Sequence, residues 1–154
     1  MSKYEKKIEE LGLTLPAAPT PMANYVTARR SGNLLFFSGA GPFQEGKPVV
    51  FGKVGSDLTQ EQGYEAARLT GLNLIAQLKK ELGALDKLKQ FVKVQAFVAS
   101  APDFMAQPAV MNGASDLFVE VFGEAGKHAR TAVAVPQLPF NIPIEVEMIV
   151  EVED

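Results

Sequence analysis

Between Ile142 and Glu153, Ile144, Val146, Met148, Val150 and Val152 alternate with Glu145, Glu147, Glu151 and Glu153. A period of two sustained over that length describes a β-strand with one face on a core and the other turned away from it. A chain carrying such a strand must build a sheet, cover one side of it, and leave the other side to solvent or to an oligomer. The cover is legible too. Thr59 and Gln62 form a capping-box pattern ahead of Leu69, Leu72, Ile75, Ala76 and Leu82 at helical spacing, and Gly83 ends the helix.

The remaining segments fit the same plan. Lys3 to Leu11 reads as a short charged helix stopped by Gly12, and Leu13 to Pro21 as an extended arm punctuated by Pro16, Pro19 and Pro21. Tyr25 to Ala28 and Leu34 to Ser38 read as two short strands around a Ser31-Gly32-Asn33 turn, with Gly39 to Pro48 as loop. Phe91 to Ser100 alternates, placing Val92, Val94, Ala96 and Val98 on the buried side. A second helix is expected from Phe104 to Phe122, with Pro108 in its first turn or breaking it, and another strand from Ala129 to Val135. Gly63 and Gly71 cost helix propensity inside the long helix, which points to close packing on a sheet. The order ββαβαββ describes an α+β fold in a single domain over residues 1–154. Residues 1–23 form a helix and arm, and residues 24–154 form the core with helices on one face of the sheet.

Composition removes several function classes. The chain has no cysteine and one histidine, His128, so thiolate nucleophiles and cysteine-ligated zinc are excluded, and no metal site is expected. His128 reads as a surface or helix-end residue. Fifteen Lys+Arg against 18 Asp+Glu give a net charge of −3, which offers phosphate backbones no global attraction, and no nucleic-acid partner is expected. The charged amino terminus and the lack of any long apolar run point to a cytoplasmic protein without a membrane partner. Arg130 is the residue that needs an explanation. A permanent charge among small and β-branched residues calls for an anionic partner, which is either a neighbouring carboxylate or a carboxylate-bearing small molecule.

The residues Tyr25-Val26, Phe37-Ser38-Gly39 with Pro42, Asp103-Phe104, Asn112, Ala129-Arg130-Thr131, Leu138-Pro139 and Ile144-Glu145-Val146-Glu147 together resemble the Rid family. These are the reactive-intermediate deaminases, also called YjgF-like or endoribonuclease L-PSP proteins. The resemblance spans roughly residues 24 to 153 and implies a chorismate-mutase-like fold, a mixed sheet with two helices on one face, assembled as a homotrimer with clefts between subunits. It further implies cofactor-independent hydrolysis of small enamines and imines, such as 2-aminoacrylate, to 2-oxo acids and ammonia.

By motif match, Arg130 would bind the substrate carboxylate and Glu145 would activate or orient the attacking water. Tyr25, Ser38 and Gly39 would complete the cleft from the neighbouring subunit, with Asn112 nearby and the backbone of Ala132 holding a ligand oxygen. Each of these residues also has a plain structural reading. Tyr25 suits packing, Ser38 a strand end and Asn112 a local hydrogen bond, while Glu147 competes with Glu145 on equal physical grounds. A simple hairpin would set Arg130 opposite Glu145, whereas the family's strand order puts another strand between them.

The chain departs from the archetype at Ala132, where a cysteine is usual, at Ala40 after Ser38-Gly39, in a longer segment from Met105 to Met111, and in the arm before residue 24. Three functional classes follow: a deaminase, a regulatory trimer that binds small carboxylates without turnover, and an endoribonuclease. The acidic balance and the lack of a histidine pair stand against the last.

Overall fold

A computed structural model describes residues 2–154. The chain runs α1 (Lys3–Glu10), β1 (Ala28–Ser31), β2 (Leu34–Phe37), β3 (Phe43–Gln44), β4 (Lys47–Pro48), α2 (Gln60–Leu82), β5 (Leu88–Ala99), α3 (Gln107–Phe122), β6 (Ala129–Val135) and β7 (Ile144–Val152). Five strands form one sheet in the order β1-β2-β7-β5-β6, antiparallel except for β5 and β6. Parallel neighbours need a crossover, and α3 supplies it.

α2 and α3 cover one face. Leu35, Phe37, Phe91, Val94, Ala96, Val98 and the even-numbered residues of β7 turn toward them and are buried. Ile8 of α1 joins this core, with Leu13 and Leu15 of the arm packed against it. Phe36, Lys93, Gln95, Glu147 and Ile149 line a shallow groove on the uncovered face. Among the described residues, no helix is long and apolar enough to cross a membrane.

α2 starts and stops where its caps dictate. Thr59 accepts from the Gln62 N–H while Gln62 accepts from the Thr59 N–H, and Gly83 ends the helix at φ 76°. Gly63 and Gly71 do admit close packing, but against α3 rather than the sheet. A Cβ on Gly71 would press on Leu117, and one on Gly63 would press on Val54 and Val110. α3 begins at Gln107, three residues later than its hydrophobic pattern implied, with Pro108 inside the first turn, where its missing N–H costs nothing.

Two strands differ from expectation. The first hairpin strand is Ala28–Ser31, not Tyr25–Ala28. Ser31 pairs with Leu34 across a two-residue Gly32-Asn33 turn with Gly32 at φ 60°, and an edge position tolerates Arg29 and Arg30. In β5 the pairing with β7 shifts register between Phe91 and Lys93, so Phe91 is buried and Val92 is exposed. The expected loop at Gly39–Pro48 contains the small β3-β4 hairpin, turned by Glu45 and Gly46, both at positive φ.

Candidate active site

β6 is the edge strand, and Arg130 pairs in register with buried Val94, so its side chain lies on the helical face. There it meets α3. Arg130 Nη1 donates to Asn112 Oδ1 at 2.7 Å and to Ser115 Oγ at 3.2 Å, from residues one helical turn apart on the same face. No carboxylate of the described residues lies within ion-pair distance of Arg130. Neutral side chains therefore hold the guanidinium, and the local salt-bridge explanation for this residue is not what the fold provides.

His128 extends the cluster. Its Nδ1 lies 2.7 Å from the Gly126 carbonyl oxygen, which only accepts, so Nδ1 carries the proton. Nε2 of the neutral ring then accepts from the Ser115 hydroxyl at 2.9 Å, leaving the Ser115 oxygen free to accept from Arg130. Burial holds the His128 pKa below its ordinary value, and the charge on Arg130 acts in the same direction against the Gly126 hydrogen bond. The ring is half-buried and stands edge-on to Phe118 at 5.9 Å, bonded to the last carbonyl of the helical turn Gly123–Gly126, so of the surface and helix-end readings it is the helix-end one that holds. Ala132, two residues along β6, faces the same side and packs against the core.

Glu145, Tyr25, Ser38 and Gly39 come together elsewhere, around a cavity of about 250 Å³ at the end of the sheet. Glu145 lies against Gly39, where a Cβ would overlap its carboxylate, so a side chain at this position would displace the Glu145 carboxylate. Ser38 Oγ donates to the Val26 carbonyl at 2.7 Å and Ala40 pairs with Val146 through both backbone groups. Burial raises the Glu145 pKa above its ordinary value, with the charge on Glu147 adding to it. Glu147 itself lies in the exposed groove of the open face, outside this cavity.

Other residues complete the lining. Pro19, Thr20 and Met22 of the arm, Asn73 and Gln77 of α2, and Phe140 and Ile142 before β7 all reach the cavity. Phe140, on the cavity wall, and Asn141 beside it are both left-handed, at φ 60° and 58°, a conformation that is strained for Phe and ordinary for Asn.

The two clusters do not form one site within a single chain. β5 separates β6 from β7, with Arg130 opposite Val94 and Glu145 opposite Phe97, which places their side chains on opposite faces. Three residues along and two strands across put their Cα atoms on the order of 14 Å apart. A small ligand touching both groups needs a second copy of the chain.

The raised Glu145 pKa has a consequence for stability. Between the ordinary carboxylate value of 4.5 and the raised folded value, the folded chain binds more protons than the unfolded chain. Stability therefore falls as pH rises through that window, and the penalty is complete above it. Glu145→Gln removes the charge, so it raises the melting temperature at about pH 8 relative to wild type, and the gain vanishes at about pH 4. Melts at the two pH values check this, and a gain independent of pH would contradict it.

Residues 5–152 match the model of the YjgF/chorismate mutase-like family, whose name also carries an endoribonuclease label. Protein TCP17 of Trypanosoma cruzi is 44% identical over 148 residues, covering 96% of this chain and 92% of that one. A 2-iminobutanoate/2-iminopropanoate deaminase of Dermatophagoides farinae is 28% identical, covering 92% and 95%. A crystal structure from Agrobacterium tumefaciens, of a protein of unknown function, superposes with a TM-score of 0.91 at 46% identity and covers 97% and 92% of the two chains.

Proposed function

Because the chain belongs to the YjgF/chorismate mutase-like (Rid) family, we propose that it hydrolyses small 2-imino acids and their enamine tautomers to 2-oxo acids and ammonia, at sites completed between the subunits of a homotrimer. The observation that carries this reading is Arg130, a guanidinium held by Asn112 and Ser115 through Nη1 with no carboxylate partner of its own among the described residues. Its remaining donors suit a substrate carboxylate in a two-point contact. The relative with a named deaminase activity supports the reaction class.

The chemistry asks little of the protein. An imine carbon is already electrophilic, so rate comes from placing it beside an oriented water. Arg130 of one subunit holds the carboxylate, and Glu145 of the neighbour accepts a proton from water as its oxygen bonds to the imine carbon. Proton transfer to nitrogen then expels ammonia, and the C–N bond breaks as the carbonyl forms. The raised Glu145 pKa suits a carboxylate that must both take and return a proton. Tyr25, Ser38 and Gly39 shape the neighbour's side of the cleft, and Ala132 leaves a backbone but no thiol beside Arg130.

That missing thiol favours a second reading, in which the same clamp binds 2-oxo acids for regulation without turnover. One assay separates the two. Purified protein added to freshly generated 2-aminoacrylate accelerates ammonia and pyruvate release if the first holds. Tight pyruvate binding with an unchanged rate supports the second, and neither effect contradicts both.

A further inference from the structure

The cavity beside Glu145 is larger than a three-carbon substrate requires. Exposure orders its lining from mouth to floor: Met22 is 74% exposed, Phe140 54% and Tyr25 50%, whereas Gln77 and Ile142 are each 4% exposed. The wall between is largely apolar and includes Pro19 and Phe43, which stands edge-on to Phe140 at 5.8 Å. Asn73 spends its Nδ2 on the carbonyls of Gly41 and Phe43 at 3.0 and 2.9 Å, so it braces the wall.

Gln77 is different. It lies at the floor, and its Oε1 is buried without a hydrogen-bond partner. A buried amide left unpaired costs free energy, and an apolar residue would fill the same place on α2 without that cost. The last torsion of a glutamine has no sharp staggered preference, so either end of the amide can be turned to a ligand, as acceptor or donor.

We propose that this cavity receives the substrate's side chain, and that the side chain is apolar, of ring or branched-chain size, and tipped with a hydroxyl or similar group that hydrogen-bonds to Gln77. The assignment rests on the deaminase reading above, with the imine carbon at the mouth near Glu145 and the side chain directed inward. An engineered cavity of about 150 Å³ accepts benzene. The space here, about 250 Å³, takes a six-membered ring and a terminal hydroxyl, whereas a methyl group leaves most of it unfilled. The reaction is unchanged: water adds at the imine carbon and ammonia leaves.

Calorimetry with the product acids tests the cavity independently of turnover. The probes are pyruvate, 4-methyl-2-oxopentanoate, phenylpyruvate and 4-hydroxyphenylpyruvate, with ammonia release followed in parallel from the matching imino acids made in situ by an amino-acid oxidase. The hydroxyphenyl acid binds about tenfold more tightly than phenylpyruvate, and phenylpyruvate and the branched acid bind at least about tenfold more tightly than pyruvate. Gln77→Leu removes the first difference and keeps the second, with an unchanged or raised melting temperature. Pyruvate binding as tightly as the larger acids overturns the proposal, as does a hydroxyl preference that survives in Gln77→Leu. The wild-type ranking decides the size question even if the variant does not fold. The full ranking without any turnover leaves the cavity assignment standing and overturns the deaminase reading alone.

Discussion

Arg130→Ala lowers kcat/KM for imino-acid hydrolysis by about two to three orders of magnitude and weakens 2-oxo acid binding by a similar factor, the expected loss when one partner of a desolvated charge pair is removed. The melting temperature stays near that of wild type. Arg130 is exposed and contributes no ion pair within the chain, and the groups it leaves, Asn112 and Ser115, keep access to water or to His128. Arg130→Lys keeps the charge and loses the planar fork, so it falls between the two. Unchanged affinity in Arg130→Ala would remove the carboxylate clamp from the account.

Glu145→Gln has the second large effect, and it falls on a different constant. Loss of a general base costs about 10²- to 10⁴-fold in kcat, while the intact Arg130 clamp leaves KM little changed. The wild-type rate rises with pH as the Glu145 carboxyl ionises, with a midpoint above its ordinary value of 4.5, because burial and then Glu147 disfavour the charged form. The variant lacks that limb. A variant that keeps the same pH profile at a lower rate would assign the ionisation to another group. The substitution that slows the reaction is also the one expected to stabilise the fold above the titration window, as expected for a charge kept in a desolvated position for function.

Local rules made much of the scaffold legible. The Thr59–Gln62 box and Gly83 bound α2 because caps act through neighbours in sequence, and the alternation of β7 shows directly which residues reach the core. The failures lie where a partner strand decides. Val92, Val94, Ala96 and Val98 keep one parity in sequence, but the register shift between Phe91 and Lys93 moves Val92 out and Phe91 in.

The site divides in the same way. Arg130 stood out as a charge among apolar residues, and the family resemblance singled out Asn112 and chose Glu145 over Glu147. Ser115 and Gln77 gave no signal, and His128 read only as a surface or helix-end residue. Each is an unremarkable polar residue until α3 is set against β6, or α2 against the loop after β2, and those contacts depend on tertiary packing. The arm's prolines declared an extended segment, and Pro19, Thr20 and Met22 at its end line the cavity.

We propose that Arg130 of one chain and Glu145 of another form a single site. Co-expressed subunits carrying Arg130→Ala and Glu145→Gln, each inactive by itself, test it most directly. Random assortment into trimers leaves about one interface in four with both native residues, so the mixture regains up to about a quarter of wild-type activity. Activity no greater than that of the two separate variants would contradict the claim.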